Sequence, residues 1–165
     1  MRLPARLVAT AQLVPPLAAS VADVGSGHGA LALWLASRGA RVVATERTAR
    51  SFALLQRDLA RQAGAGDPAA AVEARHGDGL EPFAPGEVEV VVIAGMGGRS
   101  IIRILERAPW WPQWLVLQPI QDPHLVSAWL GERGWPAREA RMTQSGRWYL
   151  GWLVEVPGGE PRRVD

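Results

Sequence analysis

The chain has 165 residues, of which 48% are hydrophobic and 21% charged. That length and balance fit one domain with a sizeable core, and no apolar run approaches the ~18 residues that a bilayer span needs. Cysteine is absent and the three histidines, His28, His76 and His124, are scattered, which excludes disulfides and thiolate metal sites and gives no pattern of metal ligands.

The net charge is only +2, yet the isoelectric point is about 10.3, because all 18 basic residues are arginine. Arginine forks bind phosphate and stack on bases, which suits an RNA partner. The plainer explanation is a GC-rich genome and a heat-adapted host, where asparagine, also absent here, is depleted. The arginines are spread along the whole chain rather than clustered, which favours the plainer explanation. Met1 to Arg6 lacks the apolar stretch and cleavage site of a signal peptide. A cytoplasmic protein with no membrane partner and no metal is expected. The sequence does not fix its oligomeric state, a monomer being one option.

In chain order, Leu7 to Val14 predicts a short helix stopped by Pro15-Pro16. Val21 to Val24 predicts a buried strand, followed by a helix from about Ala30 to Arg38 with Gly39 as its C′ residue. Arg41 to Thr45 forms a second strand ending at Glu46, and Thr48 caps a helix reaching about Gln62. Gly64 to Pro68 is loop. Val72 to Arg75 is a third strand, entering the turn His76-Gly77-Asp78-Gly79, and Pro82 to Gly86 is loop. Val88 to Ile93 is β-branched and ends in four apolar residues, as buried parallel strands do. It runs into Ala94-Gly95-Met96-Gly97-Gly98 and a helix from about Arg99 to Arg107. Trp114 to Leu117 is a fifth strand stopped by Pro119. Asp122 caps a helix to about Arg133, with Pro123 at N1. Trp135 to Met142 and Arg147 to Val156 make an antiparallel hairpin around Gln144-Ser145-Gly146.

This alternation predicts an α/β fold: a doubly wound, mostly parallel seven-stranded sheet closed by a C-terminal antiparallel hairpin. A single domain over residues 1–157 is expected, with a frayed tail over 158–165.

Ligands of such sheets bind beyond the carboxyl ends of the strands. After the first strand, Gly25, Ser26, Gly27, His28 and Gly29 form a glycine turn leading into a helix, a combination that lets a backbone approach a nucleotide-like ligand. Gly25 to Ala30 also fits G-x-G-x-x-A, and Glu46 stands about twenty residues on, where an acid binds a ribose in a nicotinamide enzyme. A ribose-binding acid serves both ligands, so Glu46 and its neighbour Arg47 do not separate them. Asp23 does. A carboxylate two residues before the first glycine would repel a pyrophosphate, whereas S-adenosylmethionine (SAM) carries an ammonium and a sulfonium. Asp23 has an equal alternative: an acid within an apolar strand can serve to tie down the glycine loop through hydrogen bonds. Gly77-Asp78-Gly79, alone an ordinary turn, gains weight because Asp23, Glu46 and Asp78 stand at three successive strand ends. Asp78 is then the acceptor for an adenine amino group. At the fourth strand's end, Ala94, Gly95 and Met96 belong to the cofactor site, and Gly97 and Gly98 leave a smooth wall for a flat base. Met96 has packing as its plainer role.

Several segments together resemble one family, the TrmK-type methyltransferases of bacteria. They are His76-Gly77-Asp78-Gly79-Leu80-Glu81, Ile93-Ala94-Gly95-Met96-Gly97-Gly98 and Leu115-Val116-Leu117-Gln118-Pro119, with Arg6-Leu7, Val14-Pro15, Ala22 to Ser26 and His28, Trp129-Leu130, Tyr149 and Val154-Glu155. The resemblance covers nearly all of the chain. It implies a SAM-dependent transfer to N1 of adenine 22 in tRNA. Gly27 stands where the family usually has an aspartate, and Ile120 where it has an asparagine. Family members also carry a C-terminal helical domain that helps bind tRNA, and this chain stops before one. With the aspartate gone, His28 and Gln118 become the candidate catalytic polar groups. Loop packing is the plainer role of His28, and backbone hydrogen bonding that of Gln118. Arg6 and Arg99 are candidate substrate contacts, and Arg2 and Arg103 could likewise meet phosphates. Trp110, Trp111 and Trp114 suggest base stacking, although core packing explains most of the eight tryptophans.

Overall fold

A computed structural model describes residues 2–62 and 72–158. The expected loop at Gly64 to Pro68, and the expected tail from residue 159 on, lie outside the described residues. The described chain forms helices α1 (Ala5–Leu13), α2 (Ala30–Ser37), α3 (Ala49–Gln62), α4 (Gly98–Glu106) and α5 (Pro123–Arg133). Its strands are β1 (Ser20–Val24), β2 (Arg41–Glu46), β3 (Val72–His76), β4 (Val90–Gly97), β5 (Trp114–Gln121), β6 (Ala137–Gln144) and β7 (Arg147–Glu155). They make one sheet in the order β3-β2-β1-β4-β5-β7-β6, parallel except for β7, which runs antiparallel to both β5 and β6.

The apolar strands are buried on both faces, and the two-residue alternation of a strand sorts their side chains into two cores. Ala22, Val24, Val43, Val91, Ile93, Leu115 and Leu117 pack with Ile101 and Leu105 of α4 and Val126 and Trp129 of α5. Their neighbours Val21, Val42, Ala44, Val90, Val92 and Val116 pack with α1, α2 and α3 through Leu13, Leu31, Leu35 and Leu55. Between β3 and β4 the crossing is a loop rather than a helix; Leu80 and Phe83 seal that end of the core, and the Trp110 indole N–H donates to Leu80 O at 3.2 Å. Local signals hold where the chemistry is local. The backbone N–H of Ser51 donates to Thr48 Oγ1 at 3.1 Å, capping α3. Gly39 takes φ 96° just beyond α2. Ser145 and Gly146, with φ 51° and 73°, make the tight two-residue turn of the hairpin.

Several boundaries differ from expectation: β4 starts at Val90 rather than Val88, β6 runs Ala137–Gln144 rather than Trp135 to Met142, and two differences bear on the site. Pro119 does not stop β5: the strand continues to Gln121. Its missing N–H does little harm because β5 pairs with β7 only over Trp114 to Leu117, and because the β4 register shifts at Met96, opposite Pro119. β4 likewise runs through the glycine stretch to Gly97 and passes directly into α4. Asp122 does occupy the N-cap position of α5, but its side chain makes no capping hydrogen bond.

Candidate cofactor and substrate site

Strand order reverses between β1 and β4, the place where sheets of this kind open a crevice at their carboxyl ends. A cleft of about 230 Å³ lies there. Gly25, at φ 71°, begins its inner wall, and its N–H and that of Ser26 both donate to Thr45 O at 3.0 Å. A Cβ on Gly25 would sit 2.1 Å from Met96 Cε. Glycine here therefore satisfies both a left-handed backbone and a close approach. Of the predicted residues, Gly25, Glu46, Arg47, Gly77, Asp78, Gly79 and Met96 all line this one cleft. Thr48 at the cap of α3, Ser51 within it, and Ser100, Arg103 and Ile104 from α4 line it as well.

Each carboxylate has a defined partner and spare capacity. Glu46 Oε1 accepts the Gly27 N–H at 2.6 Å, which leaves Oε2 for a hydroxyl pair. Asp78 is gripped by both ends of the Arg103 guanidinium, at 3.0 and 3.4 Å. Each of its oxygens keeps a second lone pair for an incoming N–H. Thr45 also lines the cleft, and its Oγ1 is buried without a hydrogen-bond partner. A buried orphan hydroxyl costs of order 1–3 kcal/mol unless something bonds it. The Glu46 and Asp78 carboxylates fit a ribose and an exocyclic amine, and of the two arginines in the wall Arg103 is already held by Asp78.

Asp23 lies outside that lining. It is 3% exposed, accepts the Ser26 hydroxyl at 2.6 Å and is hydrogen-bonded by the Ala32 backbone. It thus pins the glycine loop to the start of α2. Burial pushes its carboxyl up to about 6; the Ser26 bond opposes that and the Glu46 charge adds to it. Ser26 and Gly27 serve the same loop through Asp23 and Glu46.

The remaining predicted residues fall elsewhere. His28 projects outward, 78% exposed, with Nδ1 2.5 Å from Asp58 on α3, and does not line the cleft. Gln118 is fully buried on the α1 side of β5. It accepts from the Arg6 guanidinium and donates to Pro119 O at 2.7 Å. Arg6 also donates its backbone N–H to Gln144 at 3.1 Å and lies 5.8 Å from the Tyr149 ring centre. Burial lowers the pKa of this guanidinium. Gly95 faces Arg6: a Cβ there would be 3.8 Å from its Nη1. Ala94 packs toward the α1–α3 core, and Gly97 keeps open space up to Gln121 Oε1. Gly98 is pressed on the chain before α5; a Cβ would meet the Asp122 carbonyl at 2.3 Å. Arg99 is 84% exposed, 3.9 Å from Asp122.

Sequence reasoning placed Arg103 with phosphates, and the structure puts it on Asp78 instead. One signal was available: a helix beginning at Gly98 directs residues 100, 103 and 104 to one face. The tryptophan expectation also shifts. Trp110 is buried, and Trp111, Trp129 and Trp135 cluster under Arg133, whose Cζ is 4.0 Å from the Trp129 ring.

Comparison with known proteins agrees with this geometry. A family model described as methyltransferase domain matches residues 3–150. A tRNA (adenine(22)-N(1))-methyltransferase of Bacillus subtilis is 32% identical over 135 residues, covering 79% of this chain and 55% of that protein. The chain thus spans about half the length of this curated relative. The crystal structure of the B. subtilis m1A22 tRNA methyltransferase TrmK superposes with a TM-score of 0.76 at 28% identity, over 93% of this chain and 66% of that one. The Streptococcus pneumoniae protein Sp1610, crystallised with S-adenosyl-L-methionine, gives 0.78 at 27% identity, over 99% and 76%. With its sheet order, its switch-point cleft and a family match over nearly its whole length, the chain belongs to the methyltransferase-domain family.

Proposed function

We propose that the chain is a SAM-dependent methyltransferase acting on adenine N1 in tRNA. The observation that carries this is the convergence of Gly25, Thr45, Glu46 and Asp78 on one cleft at the β1/β4 switch point. The likeness to the B. subtilis enzyme, and the SAM bound in Sp1610, support the choice of reaction and cofactor. Glu46 would hold the ribose hydroxyls and Asp78, steadied by Arg103, the adenine amine. Asp23 acts at one remove by fixing the loop that contains Gly25. A tRNA substrate implies a cytoplasmic location, and among the described residues no helix is long and apolar enough to cross a membrane.

Bound SAM supplies an electrophilic methyl group. The ring nitrogen of adenine carries a free lone pair at neutral pH, so the protein needs no strong base to begin the reaction. Its task is orientation: holding donor and acceptor about 3–3.5 Å apart and in line supplies most of the rate. Gly95 and Gly97 keep the β4 wall low enough for a flat ring. The product ring is cationic, so the Arg6 guanidinium, which is held by Gln118 beside Tyr149, is not its stabilising group. Incubating the chain with methyl-labelled SAM and unmodified tRNA, then digesting to nucleosides, tests the assignment. N1-methyladenosine is the expected product; label on another nucleoside would refute the adenine assignment. A second reading, a SAM-binding module that lacks independent catalysis, draws on Gly27 and Ile120, which offer no polar side chain where the similar family has one. Tight SAM binding without any product would favour it.

A further inference from the structure

We propose that a groove on the α5 side of the sheet binds a nucleotide next to the target in a single-stranded stretch of RNA, with its base stacked on Trp148 and its phosphate on Arg141. This rests on the RNA-methyltransferase reading above and adds a second contact site to it. The groove, about 280 Å³, lies between Pro119 and Ile120 of β5, Pro123 at the start of α5, and the hairpin residues Arg141 and Trp148. Trp148 is 73% exposed, whereas Trp110, Trp129 and Trp152 are buried. It lies at the turn end of the hairpin, paired in register with Thr143, and belongs to neither core. Ile120, 39% exposed, adds an apolar edge to the same groove. A bare indole on a rigid strand is what base stacking uses, and it is sequence-tolerant because every base has a π-face.

Charge narrows the occupant. Arg141 is the one charged residue in the lining, and among the described residues it has no carboxylate partner. An aromatic plane beside a free guanidinium, with no acid in the wall, matches a flat ring that carries an anionic phosphate. Position narrows it further. Pro119 in the groove is the register partner of Met96 in the cofactor cleft, and neighbouring strands lie only ~4.8 Å apart. A nucleotide in the groove is therefore adjacent to any nucleotide that reaches the cleft.

The test is fluorescence anisotropy of labelled, unmodified tRNA titrated with the full chain at several salt concentrations, with SAM calorimetry alongside. Trp148→Ala should weaken tRNA binding about 5- to 150-fold, the range for one lost base stack. Trp148→Phe should recover most of that loss. Arg141→Gln should lower the salt slope by about one phosphate contact. SAM affinity and melting temperature should stay at wild-type values in all three, since neither side chain touches the cofactor cleft or a core. Binding by Trp148→Ala within twofold of wild type overturns the groove, even if wild type makes N1-methyladenosine. Binding that depends on Trp148 without product keeps the groove and removes the methylation reading. Absence of tRNA binding by the wild type overturns both.

Discussion

Asp23→Asn offers the sharpest test of how the glycine loop is held. In the folded chain burial raises this carboxyl from 3.8 to about 6. At 1.36 kcal/mol per pH unit, that corresponds to about 3 kcal/mol. Between those two values the folded state keeps a proton that the unfolded chain has already released. Stability therefore falls as pH rises from about 4 to 6, and the full penalty is present at pH 7. Asparagine has no such proton. It can still accept from Ser26, while its extra N–H₂ carries a cost that does not change with pH. The informative quantity is thus the difference between variant and wild type at pH 3 compared with pH 7.5, in which titrations common to both cancel. It should move by about 3 kcal/mol in the variant's favour. For a chain of this size that is roughly 6–12 °C in relative melting temperature. Thermal unfolding by circular dichroism at the two pH values measures it. A stability difference that is the same at both would refute the view of Asp23 as a buried, charge-penalised anchor.

Three further outcomes follow from the site. Asp78→Ala should weaken SAM about tenfold or more in calorimetry, since a hydrogen bond to a charged group is worth about 1.5–3 kcal/mol; unchanged affinity would remove Asp78 from the cofactor site. Gly25→Ala should cost about 1–2 kcal/mol for its left-handed backbone. It should also depress SAM binding, because the new methyl displaces Met96 at the cleft wall; urea unfolding and calorimetry read the two effects separately. Gly98→Ala meets a backbone carbonyl rather than a flexible side chain. It should destabilise by about 1–3 kcal/mol, and a neutral result in urea unfolding would show that the α4–α5 contact is looser than described.

Much of this molecule is written in short-range signals. The alternation of apolar strands with amphipathic helices, the Thr48 cap, Gly39 after α2 and the Ser145-Gly146 turn each depend on a few neighbouring residues, so the doubly wound sheet is legible before any contact is known. The same holds for Gly25, Glu46 and Asp78, because in parallel sheets the strand ends are where ligands gather. Other features required the fold. Arg103 meets Asp78 across 25 residues and Arg6 meets Gln118 across 112. Pro119 continues a strand only because its neighbours place it at a register shift beyond the reach of β7. Trp148 is exposed, and Trp110 buried, through their places in the sheet and core, although both are the same residue in apolar surroundings. Chain-local propensity determines which elements form. Long-range register and packing determine which polar groups meet and which aromatic faces stay open, because those partners are chosen only when the sheet closes.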